Sequence, residues 1–206
     1  MGAKSVENFI NSSNNFIRSK ITKENYRISE KDFTRNRKLP FENVVLFMLR
    51  LLRKTIQIEL NNFLKELSSS TKSITSSAFV QSRKKLKPDL FYDLNKVIVN
   101  EFYSDNDENV KLFKGLRLLS VDGSTIQLPF TDELKETYGI YKNQSKSDDV
   151  ILARVSVLYD LLNDIVLDGK LCNFQTGEVT LSREHFLLAQ KGDLIIMDRA
   201  DRKSVV

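Results

Sequence analysis

Apolar residues recur at three- and four-residue steps through the first half of the chain and in short, strand-length runs through the second. After Pro40, the residues Phe41, Val44, Val45, Phe47, Met48, Leu51, Leu52, Ile56, Leu60, Phe63, Leu64 and Leu67 fall at helical spacing. A proline at or just before a first turn suits a helix start. The polar run 68–73 breaks the pattern. Thr75 or Ser76 then stands where a cap belongs for a short helix over 78–85, which Lys87-Pro88 ends. A further helix over about 89–103 places Phe91, Leu94, Ile98 and Phe102 along one side. The polar stretch 105–109 reads as a linker, dividing a helical N-terminal domain (1–110) from a second domain (111–200).

Past the linker the period changes. Residues 116–121 and 126–128 flank Asp122-Gly123-Ser124 and read together as one strand, with Gly123 a candidate bulge. A polar, irregular stretch covers 142–149. Runs 151–159 and 165–173, joined by 160–164, suit antiparallel neighbours. Thr180 opens a helix through an imperfect capping box, with Leu181, Phe186, Leu187, Leu188 and Ala189 as its apolar side. Lys191-Gly192 ends that helix, and 193–198 is the next strand. The expected fold is therefore α + α/β: an all-helical domain, then three antiparallel strands, a helix and a parallel strand.

Composition narrows the chemistry. The 206 residues are 41% hydrophobic and 29% charged, ordinary for a soluble globular protein. A single cysteine, Cys172, provides no disulfide framework, and a single histidine, His185, no Cys/His zinc site. Any Ser-His-Asp or Cys-His unit would depend on His185 alone, which is expected on a helix surface. No apolar run approaches the roughly 20 residues of a membrane span. Residues 1–20 are polar with no signal-peptide core, so a cytoplasmic protein is expected. Residues 1–114 carry 21 Lys and Arg against 13 Asp and Glu, whereas 115–206 carry 11 against 14. A basic front half and an acidic back half fit a nucleic-acid grip joined to a metal-binding module, or simply a helical domain with many solvated cations.

Two aspartates stand where apolar strands are expected to stop. Asp122 follows Leu118-Leu119-Ser120-Val121, and Asp198 follows Leu194-Ile195-Ile196-Met197. Carboxylates at strand ends reach the rim of a sheet, where a divalent cation and a phosphate can meet them. Two Mg²⁺ ions roughly 3.5–4 Å apart can activate a nucleophile and stabilise a leaving oxygen at a phosphodiester. Such a site takes hard oxygen ligands and needs no His or Cys. Either aspartate could instead be a turn residue, since Asp-Gly is a common turn pair, and Arg199 could merely pair with Asp198. Arg83, Lys84, Lys85 and Lys87 could grip DNA phosphates in a helix-turn-helix-like manner, or decorate a helix C-terminus. Arg35, Arg37 and Lys38 form a second basic group, a phosphate contact or a plain loop. Tyr138, Tyr141 and Tyr159 read as packing residues.

With Ser120-Val121-Asp122-Gly123-Ser124-Thr125 and Ile195-Ile196-Met197-Asp198-Arg199 in this order, the chain resembles DDE transposases of the insertion-sequence-four type. Residues 32–39 and 77–86 resemble that family's N-terminal segments, so the likeness spans nearly all of 28–200. The resemblance implies a ribonuclease-H-like catalytic core, with Asp122 and Asp198 as the first two catalytic, metal-holding carboxylates. It further implies Mg²⁺ as cofactor, double-stranded DNA (element ends and target) as partner, and leaves room for a homodimer of the full-length protein. The implied activity is DNA transposition, by strand cleavage and transfer at insertion-sequence ends. In that family Arg-Gly-Tyr usually follows the second aspartate, and a later Glu completes the site. Here Ala200 follows Asp198-Arg199, and no Glu motif is present. Residues 201–206 match one reading frame of a widely used sequencing adapter, so a non-native tail on a truncated, inactive mobile-element protein is expected. The alternatives are a non-enzymatic helical DNA-binding protein and a ribonuclease-H-like nuclease without strand transfer.

Overall fold

A computed structural model describes residues 3–35, 39–50, 53–67, 73–104, 110–142 and 149–197. Among these the chain mixes eight helices with a four-stranded sheet, and it divides into two compact units, Met1–Ser104 and Asp105–Val206. No helix among the described residues is long and apolar enough to cross a membrane.

The first unit is helical: α1 (Ala3–Arg18), α2 (Lys20–Tyr26), α3 (Phe41–Met48), α4 (Ile56–Leu67), α5 (Ser76–Arg83) and α6 (Asp89–Ser104). The polar N-terminus, part of the expected helical domain but given no individual element, is two helices. Phe9, Phe16 and Ile17 recur at helical spacing amid Asn and Ser, and α1 lies on α6. Phe9 stacks on Phe102, and the Ser12 hydroxyl donates to Glu101 at 2.7 Å. The long periodic stretch after Pro40 is two helices rather than one. Between them the Glu59 carboxylate accepts the Arg53 and Lys54 N–H groups, closing the turn that starts α4. Thr75 caps α5 by accepting the Ala78 N–H at 3.2 Å. Gln57 fixes α5 on α4, donating to the Ile74 carbonyl and accepting the Ser76 N–H. The core is aromatic: Phe47 of α3 is fully buried, with ring centroids 5.4 Å from Phe63 and 4.7 Å from Phe79.

The second unit is built on β1 (Arg117–Leu128), β2 (Ile151–Asp160), β3 (Ile165–Asn173) and β4 (Asp193–Ile196), in the order β3-β2-β1-β4. β1, β2 and β3 are successive antiparallel neighbours; β4 runs parallel to β1. Two helices accompany the sheet, α7 (Asp132–Tyr138) and α8 (Glu178–Phe186). α7 was not foreseen, although Thr131 caps it by accepting the Leu134 N–H. α8 starts two residues before Thr180, behind Gly177, with no side-chain cap. Its expected apolar side is only partly used. Leu181 is buried, whereas Leu187 is 85% exposed, because it follows the last helical turn.

One strand expectation needs correction. β1 is continuous, since β2 pairs with it without interruption from Leu119 to Leu128. Gly123 is unbulged, opposite Ser156; the irregularity in the sheet falls at Leu158/Tyr159, where β2 meets β3.

Candidate functional site

Asp122 lies inside β1 and not at its end: six strand residues follow it, and Val157 of β2 stands opposite. The strand continues because β2 supplies hydrogen-bonding partners well past this point, even though β4 stops short of it. Alternate strand residues face opposite sides of a sheet. Leu119 and Val121 are buried with Leu158 on one side, where Leu167 and Ile195 add to the cluster. Asp122 is therefore on the other side, exposed, together with the exposed Ser124 and Ile126. Its Oδ1 accepts the Gly123 N–H at 2.9 Å.

The parallel ladder joins Arg117 to Asp193, Leu118 to Leu194, Leu119 to Ile195 and Ser120 to Ile196. Each pair is separated by 76 residues, and so are Asp122 and Asp198. A bidentate ion pair fixes this register. Arg117 Nε and one terminal nitrogen each lie 2.7 Å from an Asp193 oxygen, with side chains 15% and 5% exposed. Burial alone would raise the Asp193 carboxyl. The Arg117 hydrogen bond, the Gln190 N–H and the guanidinium charge outweigh burial and hold the carboxyl below the usual aspartate value. Asp198 itself lies outside the described residues, as do Arg199, Arg37, Lys38 and the tail 201–206. Among the described residues, no group of three or more His, Cys, Asp or Glu side chains is placed to hold a metal ion.

The remaining basic residues belong to the helical unit. Arg83 closes α5, and Lys84 is its C-cap; both are exposed. Lys85 pairs with Asp32 at 3.3 Å, and Lys87 Nζ donates to the Asn25 carbonyl at 2.8 Å. Arg35 and Lys85 line one cavity, so the two basic groups of the sequence meet there.

His185 is not on a surface. It is fully buried beneath α8, where its Nδ1 lies 2.9 Å from Asp168 Oδ2 and its Nε2 lies 3.0 Å from the Ser156 hydroxyl. The reason is geometric: α8 sets Leu181, Ser182 and His185 on one stripe, facing the sheet. Burial pushes the imidazole below its ordinary value; the Asp168 charge and hydrogen bond pull the other way and lose. A neutral imidazole that donates from Nδ1 to Asp168 accepts the Ser156 proton at Nε2. The connectivity is that of a Ser-His-Asp triad, but Ser156 is 3% exposed and Asp168 1%, so no substrate reaches the hydroxyl. The three residues act as a polar lock seating α8 on the sheet. At its edge Lys170 lies 3.0 Å from Glu184 and 3.6 Å from Asp168. Spacing gave no sign of this trio. The available signal was an aspartate interrupting the apolar run Ile165-Val166-Leu167, in a chain with one histidine.

Comparison of the chain with protein-family models, with curated proteins and with solved structures found no match.

Proposed function

We propose that this protein binds DNA through its helical unit, and that its sheet unit is the metal-dependent phosphodiester-processing part of a DDE-type transposase with a ribonuclease-H-like core. The observation that carries this reading is the shared offset of 76 residues. Asp122 and Asp198 are separated in sequence by the same 76 residues as every pair of the β1·β4 ladder. The strand order β3-β2-β1-β4, with a helix between β3 and the parallel strand, supports the same reading.

The donor chemistry fits a hard cation in part. Asp122 is exposed, has no cationic partner among the described residues and spends one oxygen on the neighbouring N–H, so the other oxygen is available. Asp122 and Asp198 would hold Mg²⁺, which when bound activates an attacking oxygen and stabilises the leaving one. The chain's own contribution is to hold β4 against β1 through the Arg117–Asp193 clamp and to neutralise DNA phosphates with the basic helical unit. The reading without catalysis, a helical DNA-binding protein, is favoured by one observation: no three-acid group forms among the described residues.

Calorimetric titration of Mn²⁺ separates the two readings. Wild-type protein should bind weakly, with Kd on the order of 10⁻³ M for so few carboxylates. Asp122→Asn and Asp198→Asn should each abolish that binding and leave salt-dependent duplex binding intact. Mn²⁺ binding that survives both substitutions overturns the metal assignment. Metal-dependent nicking of plasmid DNA, expected only when a segment supplying a third acidic ligand is added and absent in both variants, would extend the reading from binding to chemistry.

A further inference from the structure

We infer that the cavity between residues 31–35 and the end of α5 is a socket for one DNA backbone phosphate; this deepens the DNA-binding reading and rests on it. The cavity measures about 380 Å³, within the ~300–1,000 Å³ range of small-ligand pockets. Lys31, Arg35 and Lys85 line it with a single carboxylate, Asp32. That carboxylate is already committed, to Lys85 at 3.3 Å and to the Ser29 N–H at 3.1 Å. Lys31 and Arg35 are exposed, and their side chains have no ion pair or hydrogen bond to the described residues. Two cations are thus left over in a concave site, which calls for an anion.

The socket is built, not a floppy loop. Phe33 takes a left-handed conformation (φ 57°), held by an edge contact with Phe41 at 5.5 Å. The Thr34 hydroxyl donates to the Lys31 carbonyl, and the Ile28 N–H donates to the Lys85 carbonyl, tying the segment to the end of α5. The other lining hydroxyl, Ser82, donates to the Ala78 carbonyl. With both hydroxyl protons engaged, recognition falls to the ammonium and guanidinium groups, which suit a phosphate. Exposed Arg83 and Lys84 lie beside the socket in sequence, so a strand seated there continues along basic surface. A seated phosphate would fix how α5 approaches the duplex and leave sequence reading to other residues.

The salt dependence of duplex binding tests this, by fluorescence anisotropy on the full chain. Each neutralised phosphate contributes about 0.9 to the slope of log K against log salt. If Lys31 and Arg35 share one phosphate, Lys31→Gln, Arg35→Gln and the double variant should all lower the slope by no more than about 0.9, and the double variant by about that much. A loss of about 1.8 in the double variant means two independent surface contacts and overturns the socket. An unchanged slope overturns it as well. A wild-type chain that ignores duplex DNA fails differently: it sinks the DNA reading itself, and the socket with it. Since neither side chain has a partner among the described residues, thermal melts of the variants should match wild type, and a lowered melt would show these cations to be structural.

Discussion

Breaking the Arg117–Asp193 clamp should destabilise the sheet unit. Both groups are largely buried, and their two hydrogen bonds of 2.7 Å hold the short β4 strand to β1. Removing one partner of a buried pair costs ~3–5 kcal/mol, because the other charge is left without compensation. Arg117 keeps some access to water, which puts Arg117→Met and Asp193→Asn near the low end, about 3 kcal/mol. For a unit of roughly 100 residues, 1 kcal/mol moves Tm by ~4–8 °C, so a drop of ~12–24 °C is expected. The double variant Arg117→Met/Asp193→Leu leaves no buried charge and should recover most of the loss. The sign with pH follows from Asp193. Its folded-state value is held below the unfolded one, so the clamp contributes fully above the unfolded aspartate value of ~3.9 and is lost as pH falls through the lower folded value. Urea titration followed by circular dichroism, at neutral pH and in the acid range, measures each term. Single variants within ~1 kcal/mol of wild type, or a double variant as weak as the singles, would refute the clamp.

The buried histidine gives a second pH effect in a different window. Because burial lowers the His185 value, the folded state resists protonation there. Stability should be complete above the unfolded value of ~6.5 and fall as pH drops toward the lower folded value; His185→Leu should flatten this slope in urea titrations below about pH 6.5. In the helical unit, Phe47→Ala should cost ~3–5 kcal/mol, since the ring is fully buried between Phe63 and Phe79; thermal unfolding that moves by only a few degrees would contradict this. Two glycines should behave oppositely in the same melt. Gly123→Ala should be tolerated, because the added carbon meets its nearest neighbours at 3.7 and 3.9 Å and the backbone is not left-handed. Gly139→Ala, at φ 76° behind α7, should cost about 1 kcal/mol or more.

What could be read from the residues was whatever depended on local signals. Thr75 ahead of α5, Pro88 ahead of α6, and the apolar runs of β2 and β3 mark their own elements. The helix-plus-sheet class followed from them. Long-range partners decided the rest. β1 runs through Asp122-Gly123 because β2 pairs with it there, which no turn propensity foretells. α1 hides in Asn- and Ser-rich sequence because its few aromatics matter only once α6 lies against them. His185 looked like a surface residue because its partners, Ser156 and Asp168, stand 29 and 17 residues away on two strands. The pairing of β1 with β4 was legible in outline from two similar apolar runs, yet the ion pair that sets their register was not singled out.

The direct test of a shared metal site is paramagnetic broadening of backbone amide signals by Mn²⁺. Asp122 and Asp198 acting together should broaden the Gly123 and Ser124 amides first, along with those at the end of β4. Either Asp122→Asn or Asp198→Asn should restore sharp signals on both strands. Broadening confined to one strand, centred elsewhere, or indifferent to either substitution would contradict a site shared between β1 and β4.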